Sequence, residues 1–157
     1  ALGPLGLASP RYERHFARYV TGHGRLRADI VFHGILGADK WRLLRQAKVA
    51  VTNPTGAGET FCISAAESGL LGVPVVTRKL GGPIDVVANG VSGILFDDER
   101  DLPEAVVGLL RDENRRAEMG RNAMARVRSR FDIEIVIEKW HKVIDEILAG
   151  DPVAGDL

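Results

Sequence analysis

The order of apolar runs along this chain predicts an α/β protein built on a doubly wound parallel sheet. Short runs rich in Val, Ile and Phe, at 29–32, 48–52, 74–77 and 93–96, alternate with stretches of helical periodicity. The run at 48–52 is apolar on both sides of its alternation, as in a parallel strand covered on both faces. The segments that follow the runs, 33–34, 53–58, 78–82 and the turn after Phe96, are the most distinctive loops. In an open parallel sheet these loops share the carboxyl end, where ligands bind.

Taken in order, Ser9 caps a helix with Pro10 at its first position, running to Tyr19 or Val20 and stopped by Gly22-His23-Gly24. A strand over 29–32 ends at His33-Gly34. A helix over 39–46 turns Trp41, Leu44 and Leu43 inward. The strand at 48–52 feeds the turn 53–58, and a helix opens near Cys62 or Ile63. Its small residues Ala65, Ala66 and Gly69 allow close packing on the sheet, and Gly72 ends it. The strand 74–77, a mobile-looking Gly81-Gly82-Pro83 loop, a short helix through 85–87 and the strand 93–96 follow. Helices over 102–110, 115–130 and 133–148 close a single domain, 1–150, and leave 151–157 as a frayed tail. Four strands are fewer than a complete doubly wound domain carries. The chain also starts at Ala1, apolar at once and without methionine, so it reads as N-terminally incomplete, an excerpt of a longer protein.

At 157 residues the chain is long enough for one real core. Its formal net charge is zero, which argues against a nucleic-acid binder driven by bulk charge. Cys62 is the only cysteine, so there is no internal disulfide and no cysteine-based zinc site. No apolar run approaches a membrane span and no signal peptide is visible. A reducing, cytoplasmic setting fits.

The most informative segment is 59–67, with Glu59 just before the helix and Glu67 about one turn inside it. A helix start carries unpaired N–H groups and a partial positive charge, which suits phosphate. Carboxylates before and within that helix can grip hydroxyls on either side of the phosphate, and a sugar nucleotide has this layout.

The spacing Glu59-x7-Glu67 comes with Phe32-x-Gly34, Asn53-Pro54-Thr55, Phe61, Gly72-Val73-Pro74-Val75-Val76, Gly81-Gly82-Pro83-Ile84-Asp85-Val86-Val87, Asn89-Gly90-x-x-Gly93 and Arg115-x-x-x-Met119-Gly120 followed by Phe131. This ordered set, over about 29–148, resembles the C-terminal, donor-binding half of a GT-B glycosyltransferase of the retaining family 4 type (glycosyl transferases group 1), a Rossmann-like domain. Two acids at fixed spacing are weak by themselves; the ordered set is specific. The chain departs from the family pattern at Cys62, where glycine is usual and a side chain would crowd the donor sugar, and at Asp85, where glutamate is common. The family's diphosphate-gripping Arg and Lys, and the N-terminal domain that holds the acceptor, are not in this sequence.

The resemblance implies retaining transfer of a hexosyl group from a UDP- or GDP-sugar to a sugar, lipid or other hydroxyl acceptor, with no metal and no cofactor. It assigns Glu59 to the donor sugar, as the catalytic position, and Glu67 to the ribose. Thr60, Phe61, Cys62, Ile63 and Ser64 would meet the donor, chiefly through backbone N–H groups. Gly34 would border the nucleobase, and Gly81 and Gly82 would let backbone approach the site. Each residue has a plainer reading. Glu59 suits a helix-start acid and Glu67 a solvated helix glutamate. Phe61 reads as a core wedge, Cys62 as a small buried residue and Ser64 as a cap. Arg78 and Lys79 face phosphate or acceptor, or form a solvated loop pair. The arginines at 111, 115, 116, 121, 126, 128 and 130 mark a solvated face, or a contact with anionic lipid at a membrane periphery or with a charged acceptor. Trp140, with Val136, Val143 and Ile147, forms a packing stripe suited to docking on the absent domain. The isolated chain is expected to be inactive. Two other classes stay open: a non-catalytic binding or scaffold domain, favoured by Cys62, and a sugar-nucleotide epimerase relative.

Overall fold

The computed structural model describes residues 21–22, 25–26, 29–31, 33–54 and 59–150. The expected helix at 9–20 and the tail at 151–157 lie outside them, as do Phe32 and Thr55. The chain divides into two units, 1–40 and 41–157.

In the first unit, β1 (Thr21–Gly22) pairs antiparallel with β2 (Arg25–Leu26), a pairing that the sequence did not suggest. Residues 29–31 are not a strand: they join no ladder among the described residues, and Val31 is 68% exposed. A short apolar run becomes a strand only where a neighbouring strand takes up its backbone hydrogen bonds. Helix α1 (Asp39–Gln46), which spans the division between the units, forms as its spacing predicts, with Trp41, Leu43 and Leu44 of the second unit half-buried.

The second unit holds a parallel sheet of three strands, β3 (Ala50–Thr52), β4 (Val75–Arg78) and β5 (Gly93–Phe96), in that spatial order. Ala50 lies opposite Val75, and Val75 opposite Gly93. Between β3 and β4 runs α2 (Ile63–Leu70); between β4 and β5 runs the short α3 (Pro83–Val86). A 3₁₀ turn (Glu99–Asp101) leads into α4 (Leu102–Arg111), α5 (Glu113–Phe131) and α6 (Ile133–Ala149). Alternation along β4 divides the core. Val75 packs with Cys62, Ala65, Ala66, Val86 and Val87 on one face, and Val76 packs with Phe96, Leu109 and Met119 on the other. The sheet is therefore covered by helices on both faces, as a doubly wound sheet requires.

Three expectations change. Among the described residues β3 is an edge strand with Val51 47% exposed, so the run at 48–52 is not covered on both sides by them. The parallel sheet has three strands among the described residues, not four. The helix expected from Arg115 starts at Glu113, because the Asp112 side chain accepts the Arg115 N–H at 2.9 Å and caps the first turn. Asp132 caps α6 in the same way through the Glu134 N–H.

Candidate functional site at the start of α2

β3 ends at Thr52 and leads into Asn53 and Pro54; further along the sequence, Glu59 precedes α2. The backbone then makes one unusual turn. Cys62 has φ 68° and ψ 65°, the one non-glycine residue in the left-handed region among the described residues. A side chain there costs about 1–2 kcal/mol, and this explains why glycine is natural at the position. The turn aims the Cys62 N–H at Glu59, whose Oε1 accepts it at 2.7 Å. The Glu59 carboxylate thus closes the helix start, as the plainer reading of it expects. Ile63 and Ser64 are exposed, and their N–H groups meet no acceptor among the described residues. One helix start therefore holds a half-buried carboxylate and two N–H donors that no described residue accepts.

The Cys62 side chain does not crowd that end. It is 2% exposed, with Sγ 3.7 Å from the Thr52 hydroxyl and 3.6 Å from the Ser64 hydroxyl. Thr52 in turn donates to Thr77 at 2.6 Å across β3 and β4. At this left-handed turn the thiol is buried in the core beside Thr52. Phe61 is a core wedge: its ring meets Phe131 edge-on at 5.1 Å. A cavity of about 360 Å³ opens beside it, lined also by Phe131, Val136 and Trp140. Thr60 is exposed, and Glu67 is half-buried in the middle of α2.

Gly81 and Gly82 are fastened rather than loose. The Gly82 N–H donates to the Glu59 carbonyl at 2.9 Å. A Cβ on Gly81 would overlap that carbonyl, and one on Gly82 would overlap the main chain at Phe61. The loop read as mobile is thus a backbone-to-backbone contact that only glycine permits. Gly34, with φ 65°, is exposed and belongs to the first unit, whereas Glu59, Phe61, Cys62, Gly81 and Gly82 belong to the second.

Two residues at this end were not singled out from sequence. Glu99 Oε1 receives Arg78 Nη1 at 3.4 Å and Asn53 Nδ2 at 3.5 Å, linking the ends of all three strands. Arg78 is thus engaged by a carboxylate, while Lys79 is exposed. Arg126 on α5 donates to the carbonyls of Val86 and Asp85 at 3.0 and 2.8 Å. Its pKa is lowered, first by partial burial and then by Arg130, with Asp85 opposing. Neither residue sits in a pattern that sequence reading detects. Among the described residues no cluster of His, Cys, Asp and Glu could hold a metal ion, and no helix is long and apolar enough to cross a membrane.

Residues 17–126 match the sequence profile of glycosyl transferases group 1. A GDP-mannose-dependent alpha-mannosyltransferase of Corynebacterium glutamicum is 33% identical over 93 residues, covering 58% of this chain and 22% of the relative. A D-inositol 3-phosphate glycosyltransferase 2 of Catenulispora acidiphila is 36% identical over 124 residues, covering 76% and 27%. The chain thus spans about a quarter of the length of these relatives. Among solved structures, Anabaena HepE in complex with UDP-glucose superposes with TM-score 0.77 at 24% identity, covering 90% of this chain and 38% of that one. The likeness in structure establishes the fold.

Proposed function

This chain belongs to the glycosyl transferases group 1 family, with the GT-B fold, and on that premise we propose that it is the nucleotide-sugar-binding domain of a retaining glycosyltransferase. The observation that carries the reading is the start of α2, where the Glu59 carboxylate holds the Cys62 N–H and the next two N–H groups, of Ile63 and Ser64, have no acceptor among the described residues. A diphosphate would lie against those donors, within the positive end of the helix dipole. Glu59 has acceptor capacity left after taking the Cys62 N–H, enough for donor-sugar hydroxyls. Glu67 would take the ribose hydroxyls.

In the transfer, the bond from the sugar C1 to the β-phosphate oxygen breaks and the acceptor oxygen bonds C1 on the same face. The acceptor proton passes to the departing phosphate oxygen and a nucleoside diphosphate leaves. Negative charge grows on the leaving phosphate, so fixed N–H dipoles stabilise the transition state more than the ground state. No step requires a metal. The acceptor, a hydroxyl of a sugar or lipid, would be held by another domain of the whole protein, and this chain alone would be inactive. HepE binds UDP-glucose and the mannosyltransferase relative depends on GDP-mannose, so both uridine and guanosine donors are consistent with the reading. The non-catalytic alternative drew on Cys62; burial of its thiol at 2% exposure supports the donor-binding reading instead.

Calorimetric titration with UDP, GDP and ADP tests the proposal, using the chain and a form extended upstream with the corresponding part of a relative. One nucleotide should saturate the site, and Glu67→Ala should weaken it about tenfold or more, the cost of charge-assisted hydrogen bonds. Failure of all three nucleotides to bind the extended form would overturn the reading.

A further inference from the structure

We infer that Arg126 is a positioning residue for the loop that carries Glu59, acting through α3. The inference rests on the proposed role of Glu59, since Arg126 itself touches neither that residue nor a ligand.

Helix α3 is only four residues long, so its last carbonyls depend on outside donors. Arg126, 40 residues further along the chain from Val86, provides them: Nε donates to the Val86 carbonyl at 3.0 Å and Nη2 to the Asp85 carbonyl at 2.8 Å. The planar fork of a guanidinium matches two adjacent acceptors in a way that an ammonium cannot. At the opposite end of α3, the Gly82 N–H holds the Glu59 carbonyl, and Gly81 and Gly82 lie against the main chain of Glu59–Phe61 with no room for a Cβ. The short helix is therefore a strut between α5 and the Glu59 backbone. The last link is the Glu59 carboxylate on the Cys62 N–H at 2.7 Å.

Arg126 is not needed to hold α5 in place. That helix is seated by Met119, Gly120, Ala123 and Val127, all buried, with Val127 and Ala123 against Gly69 and Gly120 against Gly72. Removing the guanidinium should therefore loosen one loop rather than unfold the domain. Arg126 also stays in place next to Arg130, a like charge that works against it.

The test reads the loop directly and needs no sugar transfer. Cys62 is the sole cysteine and is 2% exposed, so its reaction with an aromatic disulfide reagent reports opening of this segment. Backbone amide exchange at Gly82 and Cys62 reports the two bonds. In Arg126→Met, thiol modification and exchange at these two amides should rise about tenfold or more, while exchange at Leu109 changes less than about twofold. Arg126→Lys should fall between wild type and Arg126→Met, and it carries the test if Arg126→Met does not fold. Arg121→Met, an exposed change on the same helix, should leave all rates unchanged. Rates at Gly82 and Cys62 that do not rise, or rise only in step with Leu109, would overturn the inference. Failure of nucleotides to bind would sink the donor reading and leave these rates as they are.

Discussion

Helices α2 and α6 are opposite solutions to lying on the same domain. α2 buries Ala65, Ala66, Ser68 and Gly69, all small, and so brings its backbone close to β4 and α5. α6 buries no residue completely, and it leaves Ile133, Ile137, Trp140, Ile144, Ile147 and Leu148 exposed, with Trp140 at 61%. Small residues give up apolar area for closeness of approach. At α2 that closeness fixes the Glu59–Cys62 turn through main-chain contacts, which are stiffer than contacts between long side chains. At α6 the contacts are partial, and the helix owes more to its Asp132 cap and its own turns than to the core. The chemistry proposed for this protein sits on the first kind of structure, where geometry must be kept to fractions of an ångström.

Substitution at the tight region should break it most sharply. Gly82→Ala places a Cβ inside the Phe61 main chain at a buried position, and neither neighbour can move independently. Overpacking against backbone should cost about 3 kcal/mol and, on the proposed function, nearly all nucleotide binding. Urea denaturation and calorimetry measure the two. Cys62 gives a finer contrast. Cys62→Val puts a β-branched side chain into a left-handed turn and should destabilise by about 2–3 kcal/mol. Cys62→Gly relieves the backbone by roughly the amount lost in thiol burial, so its midpoint should move by less than about 1 kcal/mol.

This tight region was the less legible of the two. The order of strands and helices from 39 onward follows from runs such as Val75-Val76 and from the periodicity of α5 and α6, and the structure keeps it. Glu59 and Glu67 fall where spacing places them, before and within α2. Gly81-Gly82 looked mobile because sequence shows a missing side chain but not the backbone that comes against it. Cys62 looked like an obstacle because a left-handed φ cannot be read from a residue name. Arg126 was one arginine among seven between 111 and 130, and only the fold shows which carbonyls it meets. The run at 29–32 fails for the related reason that strands need partners, which no local pattern guarantees.

On α6 the same kinds of change should do little. Ile137→Ser and Trp140→Ala remove side chains already about half exposed, so each should shift this chain by only about 1–2 kcal/mol in urea. A loss near 3 kcal/mol at either residue would mean that α6 is held as tightly as α2, and the contrast would fail.

The smallest expected effect lies at the exposed turn after β5. Asp98 accepts the Arg100 N–H at 2.9 Å and pairs with its guanidinium. These bonds, side chain first, hold its carboxyl below the ordinary range. A lowered folded pKa means that the unfolded chain takes up a proton first as pH falls. Stability from Asp98 is therefore fully present above the unfolded value and lost as pH drops through the folded one. Asp98→Asn should differ from wild type by a small constant shift in urea midpoint above about pH 5, and the two curves should converge as pH falls through the lowered folded value. Because both groups are exposed, added salt should shrink the difference. A gap between the curves that widened toward low pH would mean that the carboxyl is stabilised in its protonated form, and the turn would then be closed by something other than this pair.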